Sequence, residues 1–183
     1  MRRLFGHKDD SDAGGAATAI IPGHKRYKMK ERMFSFGDDY YIEDEEGHRA
    51  FKVDGKMLRL RSTLTIRDAE GHEVAKIQEK WLRVKDSMEI EGPNGERIAM
   101  VKKALYTPVR QRFSVNITDG PDLDADGNIV NHEYEIKRDG FSAAVVSKKW
   151  FRVRDIYGVE IVPGIDPVII LSVVACIDQL AHD

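Results

Sequence analysis

The longest apolar run in the chain stands at its C-terminal end. Residues 168–177 are apolar except for Ser172, and they show no polar face at any period. Asp166 is a favourable N-cap, and Pro167 suits the first position of a helix. Because a helix that is apolar on all sides belongs in a core, the pattern predicts a buried helix over about residues 166–180. A fully buried central strand is the alternative, since a short apolar run has no diagnostic period.

Upstream of this run, short segments of alternating apolar and polar residues are separated by turn signals. Gly47, Gly71 and Gly95 are 24 residues apart and stand in similar contexts, DEEGHRAFKV, DAEGHEVAKI and GPNGERIAMV, and Gly140 follows in KRDGFSAAVV. An acidic residue or Asn before Gly, followed by alternation, is typical of a β-hairpin. Repeated hairpins cannot bury an apolar face alone, so their spacing predicts a sandwich or a barrel. A barrel would surround the C-terminal segment on every side.

A second repeat begins ten residues after each of these glycines, at Met57, Trp81, Leu105 and Trp150. Three of its segments match closely, KMLRLRS, KWLRVKD and KWFRVRD. If they are strands, alternate residues share a face, so each strand carries one large apolar residue and two cations on one side. The predicted outward-facing sets are Trp81, Arg83 and Lys85; Trp150, Arg152 and Arg154; and Met57, Arg59 and Arg61, with Leu82, Val84, Phe151 and Val153 facing the lumen.

The composition is that of an ordinary single domain with a wet surface. The chain has 183 residues, of which 42% are hydrophobic and 33% charged, and its formal net charge is −2. Attraction to nucleic acid or to an acidic membrane must therefore come from a local patch. The single cysteine, Cys176, excludes an intrachain disulfide framework and a cysteine-based zinc site.

The N-terminal region differs in composition from the rest of the chain. Residues 1–24 are rich in Gly, Ala, Asp and Ser without a period, which predicts a flexible tail before a single barrel domain over 25–183. No signal peptide is evident, so we expect a cytoplasmic location. The apolar C-terminal run is too short to cross a membrane as a helix, which takes about 20 apolar residues.

Several short motifs resemble the LURP-one-related family, in its bacterial branch. They are MKERMFSFGDDYYIEDEEG, NHEYEIKRDG, VSKKWF, DIYGVEI and DPVIILSVVACIDQL, and the resemblance runs from about Tyr27 to the end of the chain. It implies the fold of the tubby C-terminal domain, a closed antiparallel β-barrel of about twelve strands around a hydrophobic C-terminal helix. Phospholipid scramblases are more distantly similar. Tubby domains bind phosphoinositide headgroups through basic residues and the scramblase relatives act at membranes, whereas no catalytic motif comes with the family.

The repeated basic segments are the first candidate site. Arginine forks suit phosphate oxygens, and an amphipathic ring suits the boundary between water and an apolar phase. The alternative is a solvated face on which Arg packs over Trp, or a device that protects a sheet edge. The predicted phosphate contacts and interface anchors are Lys80, Trp81, Arg83, Lys85, Lys149, Trp150, Arg152 and Arg154.

The segment DLDADGNIVNHE is the second candidate site. Its oxygen donors have the spacing of an EF-hand calcium loop, with Gly127 at the sharp turn. The flanking segments FSVNI and EYEI are typical of strands, whereas an EF-hand needs a helix on each side, so an acidic hairpin loop is the alternative. The predicted calcium ligands are Asp122, Asp124, Asp126, Asn128 and Glu133.

Two further polar residues bear on the architecture. Asp178 interrupts the apolar run, and an isolated buried charge is costly. We therefore expect the end of the helix to lie outside the lumen, with Asp178 at the barrel mouth, where a lysine or water caps it. The six histidines form no pair at metal-ligand spacing, and His132 alone indicates no function.

These observations lead to three functional hypotheses. The first is a non-enzymatic cytoplasmic module, peripheral to the membrane, that binds anionic phospholipid headgroups or other phosphate-bearing ligands at its basic outer face. The second is a protein–protein adaptor without a small ligand, and the third is a calcium-responsive module that uses residues 122–133. An enzyme is not expected, because no nucleophile, base and oxyanion donors converge in the sequence. Neither a cofactor other than calcium nor a nucleic-acid partner is expected.

Overall fold

The computed structural model describes residues 22–31, 40–58, 61–79, 86–106, 111–151 and 155–182. Most of the predicted N-terminal tail, residues 1–24, therefore lies outside the described residues. The elements are β1 (Lys25–Lys30), β2 (Tyr40–Glu43), β3 (Arg49–Leu58), β4 (Arg61–Arg67), β5 (Glu73–Glu79), β6 (Ser87–Glu91), β7 (Arg97–Tyr106), β8 (Gln111–Ile117), β9 (Leu123–Asn128), β10 (Glu133–Arg138), β11 (Phe141–Ser147), β12 (Ile156–Ile161) and α1 (Pro167–His182).

The twelve strands form a closed barrel in which each strand pairs with its neighbours in the sequence. β1 and β12 close the barrel in antiparallel register, from Lys25↔Ile161 to Lys30↔Ile156. All the other neighbouring strands are antiparallel as well. The predicted barrel of about twelve strands around a C-terminal helix is confirmed.

The hairpin signals in the sequence correspond to tight turns. In the turn after β2, the Asp44 carboxylate accepts a hydrogen bond of 2.8 Å from the backbone N–H of His48, and Gly47 has a φ of +84°. Asp68 and His72 make the same 2.8 Å contact in the turn after β4. A positive φ costs Gly little because it has no Cβ, so these glycines allow the chain to reverse between strands.

The lumen is filled by α1 and by every second side chain of the strands. Inward-facing residues such as Ile77, Val101 and Phe113 are fully buried, and so are Ile170 and Val174 of the helix. Burying one such side chain contributes about 1.5–3 kcal/mol relative to leaving it in water. The absence of a polar face on this helix follows from its position, because the barrel surrounds it.

Both ends of α1 are capped by side chains. The Asp166 carboxylate accepts a hydrogen bond of 2.8 Å from the Val168 backbone N–H, as expected of an N-cap. At the other end, the Lys103 ammonium on β7 donates to the Leu180 carbonyl at 3.0 Å. A cation in this position also compensates the negative end of the helix dipole.

The expectation that the end of the helix lies outside the lumen, with Asp178 at the barrel mouth, is wrong. Asp178 is only 3% exposed, and its Oδ1 lies 2.8 Å from Nε2 of His132. The helix therefore stays inside the barrel beyond the point at which its apolar run is interrupted. This is possible because His132, and not water, contacts the Asp178 carboxylate.

Candidate functional site

The connections between strands alternate between the two ends of the barrel, because neighbouring strands are antiparallel. Those after β2, β4, β6, β8, β10 and β12 lie at the end where α1 begins, and the others lie at the end where α1 finishes. The first group contains ten Asp and Glu residues and no Lys or Arg. The sequence segments of the second group contain ten Lys and Arg residues and five Asp and Glu residues, and two of these cations, Lys148 and Lys149, lie among the described residues. We call the two ends the acidic end and the basic end.

This separation of charge is invisible in the net charge of −2. A protein whose charges are separated in this way has a field that orients it toward a charged partner. The acidic end has Asp44, Glu45, Glu46, Asp68, Glu70, Glu96, Asp119, Asp122, Asp139 and Asp166, and the cations in the connections of the basic end are Arg32, Arg59, Lys80, Arg83, Lys85, Arg110, Lys148, Lys149, Arg152 and Arg154.

Most of the predicted phosphate-binding residues lie outside the described residues. In the sequence, residues 80–85 stand between β5 and β6, and residues 152–154 stand between β11 and β12. The predicted residues concerned are Lys80, Trp81, Arg83, Lys85, Arg152 and Arg154.

Lys149 and Trp150 are described, and they lie in a turn after β11. The Lys149 side chain is 79% exposed, and its Nζ lies 3.3 Å from Oε2 of Glu133. Trp150 folds back over the outer wall of the barrel, where the Arg26 guanidinium stacks 4.4 Å from the centre of its ring. The cation–π pair that we considered as an alternative is therefore present at Trp150, although the cation comes from β1.

The packing of Trp150 and Phe151 differs from the predicted strand alternation. Alternation places Phe151 in the lumen, but both rings lie over Gly158 on the outer face of β12. A Cβ at Gly158 would lie 2.4 Å from Trp150 and 3.0 Å from Phe151. Residues 148–151 form a turn and not a strand, so two successive side chains can lie on the same surface.

Replacing Gly158 with Ala is expected to lower the free energy of unfolding by about 1–3 kcal/mol, because the added methyl group overlaps both rings. Urea unfolding monitored by tryptophan fluorescence measures this loss. In a Trp150→Leu background the smaller side chain leaves room for the methyl group, so the same replacement should cost clearly less. An equal cost in both backgrounds would contradict the packing described here.

The acidic segment forms a strand and not a loop. β9 pairs with β8 on one side and β10 on the other, and Leu123 and Ala125 face the core. Alternate aspartates therefore follow one another along the outer side, about 7 Å apart. A calcium ion needs its oxygen ligands at about 2.3–2.6 Å, so binding would require this strand to rearrange. Calcium binding by Asp122, Asp124, Asp126, Asn128 and Glu133 stays a prediction.

The oxygen donors of this segment also have protein partners. Asp122 accepts hydrogen bonds from the Asn116 side chain at 2.9 Å and from the Ile117 backbone at 3.0 Å. The Glu133 carboxylate accepts from Ser147 at 3.0 Å and from the Lys148 backbone at 3.1 Å. These contacts link β8 and β11 to their neighbours.

A buried polar cluster lies inside the barrel near its basic end. The His132 ring nitrogen Nε2 lies 2.8 Å from Oδ1 of Asp178, and the two residues are 2% and 3% exposed. The His132 ring stacks on Tyr157 at 4.3 Å. On the other side of the ring, Nδ1 lies 3.5 Å from Glu31, which in turn contacts the ammonium of Lys148. The cluster thus connects the end of α1 to β12, to the turn before β10 and to the residues that follow β1 and β11.

Three tyrosines complete this cluster. Among the residues that the structure describes, no group hydrogen-bonds the buried hydroxyls of Tyr40, Tyr134 and Tyr157. Burial, followed by the negative charge of Asp178, raises the pKa of each hydroxyl well above its ordinary value. The three hydroxyls therefore remain neutral at physiological pH around a single buried carboxylate.

The sequence contains one signal for this cluster. A lone acid in an otherwise apolar helix requires a partner, and Asp178 meets that description. Nothing local identifies the partner, since His132 is 46 residues away and occupies a turn at a positive φ of 51°.

One group of three possible metal ligands occurs among the described residues. Ligand atoms of Asp44, Glu46 and His48 lie within 4.8 Å of one another in the turn after β2. Glu46 and His48 are exposed, and the contacts of Asp44 are those of the turn itself. The geometry is accounted for by the hairpin.

A closed antiparallel barrel with an apolar helix in its lumen is a distinct class of β-protein, and this chain belongs to that class. The sequence model of the LURP-one-related family matches residues 25–178, so the chain is a member of this family. An X-ray structure of a protein from Arabidopsis thaliana is similar in fold, with a TM-score of 0.65 and 17% sequence identity over 92% of this chain and 99% of that chain. A search among curated proteins returns no match.

Within the described part of the chain, no helix combines the length and the hydrophobicity of a membrane-spanning segment.

Proposed function

We propose that this protein is a non-enzymatic binding module that docks its basic end on surfaces rich in anionic phospholipid headgroups. The observation that carries the proposal is the distribution of charge among the sequence segments between strands, with ten cations in those of one group and none in those of the other. This function agrees with the first of our expectations from the sequence.

The electrostatics of a membrane surface favour this orientation. A Lys or Arg near an anionic leaflet contributes about 1 kcal/mol, so several of the ten cations together supply useful affinity. The carboxylates of the acidic end are repelled by the same surface and point away from it. Because the contribution is electrostatic, it weakens as salt is added.

Co-sedimentation with vesicles tests the proposal. We expect the protein to bind phosphatidylcholine vesicles that contain phosphatidylserine, and not vesicles of phosphatidylcholine alone. The variant Arg83→Glu/Arg152→Glu should lose at least about tenfold in affinity, because each reversal removes an attraction and adds a repulsion. Inorganic phosphate, added as a competitor, distinguishes a membrane surface from a site for free phosphate: only the second would be blocked.

A matched control keeps the change in net charge constant. Arg97 and Arg138 are exposed residues on strand ends that adjoin the acidic end, so Arg97→Glu/Arg138→Glu changes the total charge by the same amount. The control variant is expected to retain vesicle binding. Equal losses for the two pairs would show that total charge alone governs binding, and absence of binding by the unmodified protein would refute the proposal.

A further inference from the structure

The barrel closes least completely between β1 and β2. β1 pairs with β12 at all six of its residues, but its register with β2 consists of the single pair Lys28↔Glu43. An ion pair of 2.6 Å between the side chains of these two residues reinforces the contact. β2 ends at Glu43, so β1 extends three residues further toward the acidic end.

Two overlapping clefts follow this projecting part of β1. Their volumes are about 280 Å³ and about 310 Å³. Both are lined by Arg26 and Tyr27 on one side and by residues 44–46 on the other. The rings of Trp150 and Phe151 line the first cleft as well. We call the combined cleft the seam groove.

The charge of the seam groove is negative. Two of the cations in its β1 wall have carboxylate partners, since Arg26 Nε donates to Glu160 at 3.2 Å and Lys28 pairs with Glu43. Lys25 also lines the second cleft, but the carboxylates of the opposite wall outnumber it. Glu45 and Glu46 are exposed and make no ion pair within the described part of the chain. Together with Asp44, they place three carboxylates on the opposite wall.

We propose that the seam groove binds an extended peptide of a partner protein in which Lys or Arg alternates with apolar residues. The peptide backbone lies along β1, which is the usual way in which a strand adds to a sheet. Its cationic side chains reach Glu45 and Glu46, and an apolar side chain packs against Trp150 and Phe151. Charge complementarity excludes acidic peptides from the groove. This interaction adds a second surface to the one that the proposed function requires.

Fluorescence anisotropy with a short labelled peptide that alternates Lys with Val tests this inference. We expect saturable binding, and no binding of the matched peptide in which Glu replaces Lys. The substitution Glu46→Lys should weaken binding of the Lys-Val peptide by about tenfold, because it replaces an attraction at close range by a repulsion.

The turn after β4 provides a matched control. Asp68–His72 repeats the Asp-x-Glu-Gly-His sequence of Asp44–His48 at the same end of the barrel, and Glu70 occupies the position of Glu46. Glu70→Lys should leave binding of the Lys-Val peptide unchanged. Equal losses for Glu46→Lys and Glu70→Lys, or no binding of this peptide, would overturn the proposal. So would self-association in size-exclusion chromatography that Glu46→Lys abolishes, since the groove would then hold a second copy of this chain.

Discussion

Replacing His132 with Leu is expected to lower the free energy of unfolding by about 3–5 kcal/mol, because the substitution removes a buried hydrogen-bonding partner of the Asp178 carboxylate. Few single changes in this barrel should cost as much. The contact between the two side chains is short, at 2.8 Å, and both are almost fully buried. Urea unfolding at neutral pH measures the loss.

The double variant His132→Leu/Asp178→Leu separates the cost of burying the Asp178 carboxylate without His132 from the value of the contact between the two side chains. Buried ion pairs can often be replaced by apolar residues of similar volume with little loss of stability. The double variant should therefore be more stable than His132→Leu alone. A double variant whose loss equals the sum of the two single losses would show that the two side chains do not interact.

Above pH 10, the free energy of unfolding is expected to fall more steeply with rising pH in this protein than in a protein whose tyrosines are exposed. Burial and Asp178 raise the pKa of Tyr40, Tyr134 and Tyr157 above the ordinary value of 10.0. Above pH 10 the unfolded chain releases these protons while the folded chain keeps them. The contribution of the three protonated hydroxyls to the free energy of unfolding is therefore complete below pH 10, and it is lost as the pH rises above that value. Each of these tyrosines should lower the free energy of unfolding by about 1.4 kcal/mol per pH unit above 10.

Urea unfolding at a series of pH values between neutral and strongly alkaline checks this result. Tyr157→Phe removes one titrating hydroxyl and should make the dependence on pH less steep. Tyr41→Phe is the control, because the ring of Tyr41 is 39% exposed on the surface. If Tyr157→Phe left the dependence of the free energy of unfolding on pH unchanged, the Tyr157 hydroxyl would not stay protonated in the folded protein.

The sequence predicts the barrel because its signals are local. A Gly that follows an acidic residue specifies a tight turn, and Asp166 with Pro167 specifies the start of a helix, whatever the rest of the chain does. The apolar run then leaves one place for the helix, since no other element could cover it on all sides. These features depend on spacing along the chain, so periodicity is sufficient to predict them.

Contacts between distant segments could not be predicted in the same way. The pairing of Asp178 with His132 depends on which turn lies beside the end of α1, and periodicity contains no such information. Trp150 was assigned correctly to the outer surface. Strand alternation over residues 149–154 predicts Phe151 in the lumen, and this prediction is wrong because residues 148–151 form a turn. The small residue that admits both rings, Gly158, lies in the interior of β12, where a Gly is a recognised sign of close approach.

The candidate site could be predicted from the sequence only in part. The repeated basic segments were identified from the sequence, but their common location follows only from the alternation of antiparallel strands. The seam groove was not predicted, because it depends on the short length of β2 relative to β1. Neither the charge composition nor the motifs of the sequence indicate that β2 is shorter than β1.

The closure of the barrel also determines when the chain can fold. β1 hydrogen-bonds to β12, and the helix that fills the lumen is made of the last residues of the domain. A ribosome that has released only the first ten or eleven strands has therefore released a sheet with open edges and no core. Native structure must therefore await the synthesis of β12 and α1, and the large sequence separation between β1 and β12 slows the closure of the barrel. Until α1 has emerged, the exposed apolar surface and the open strand edges favour aggregation.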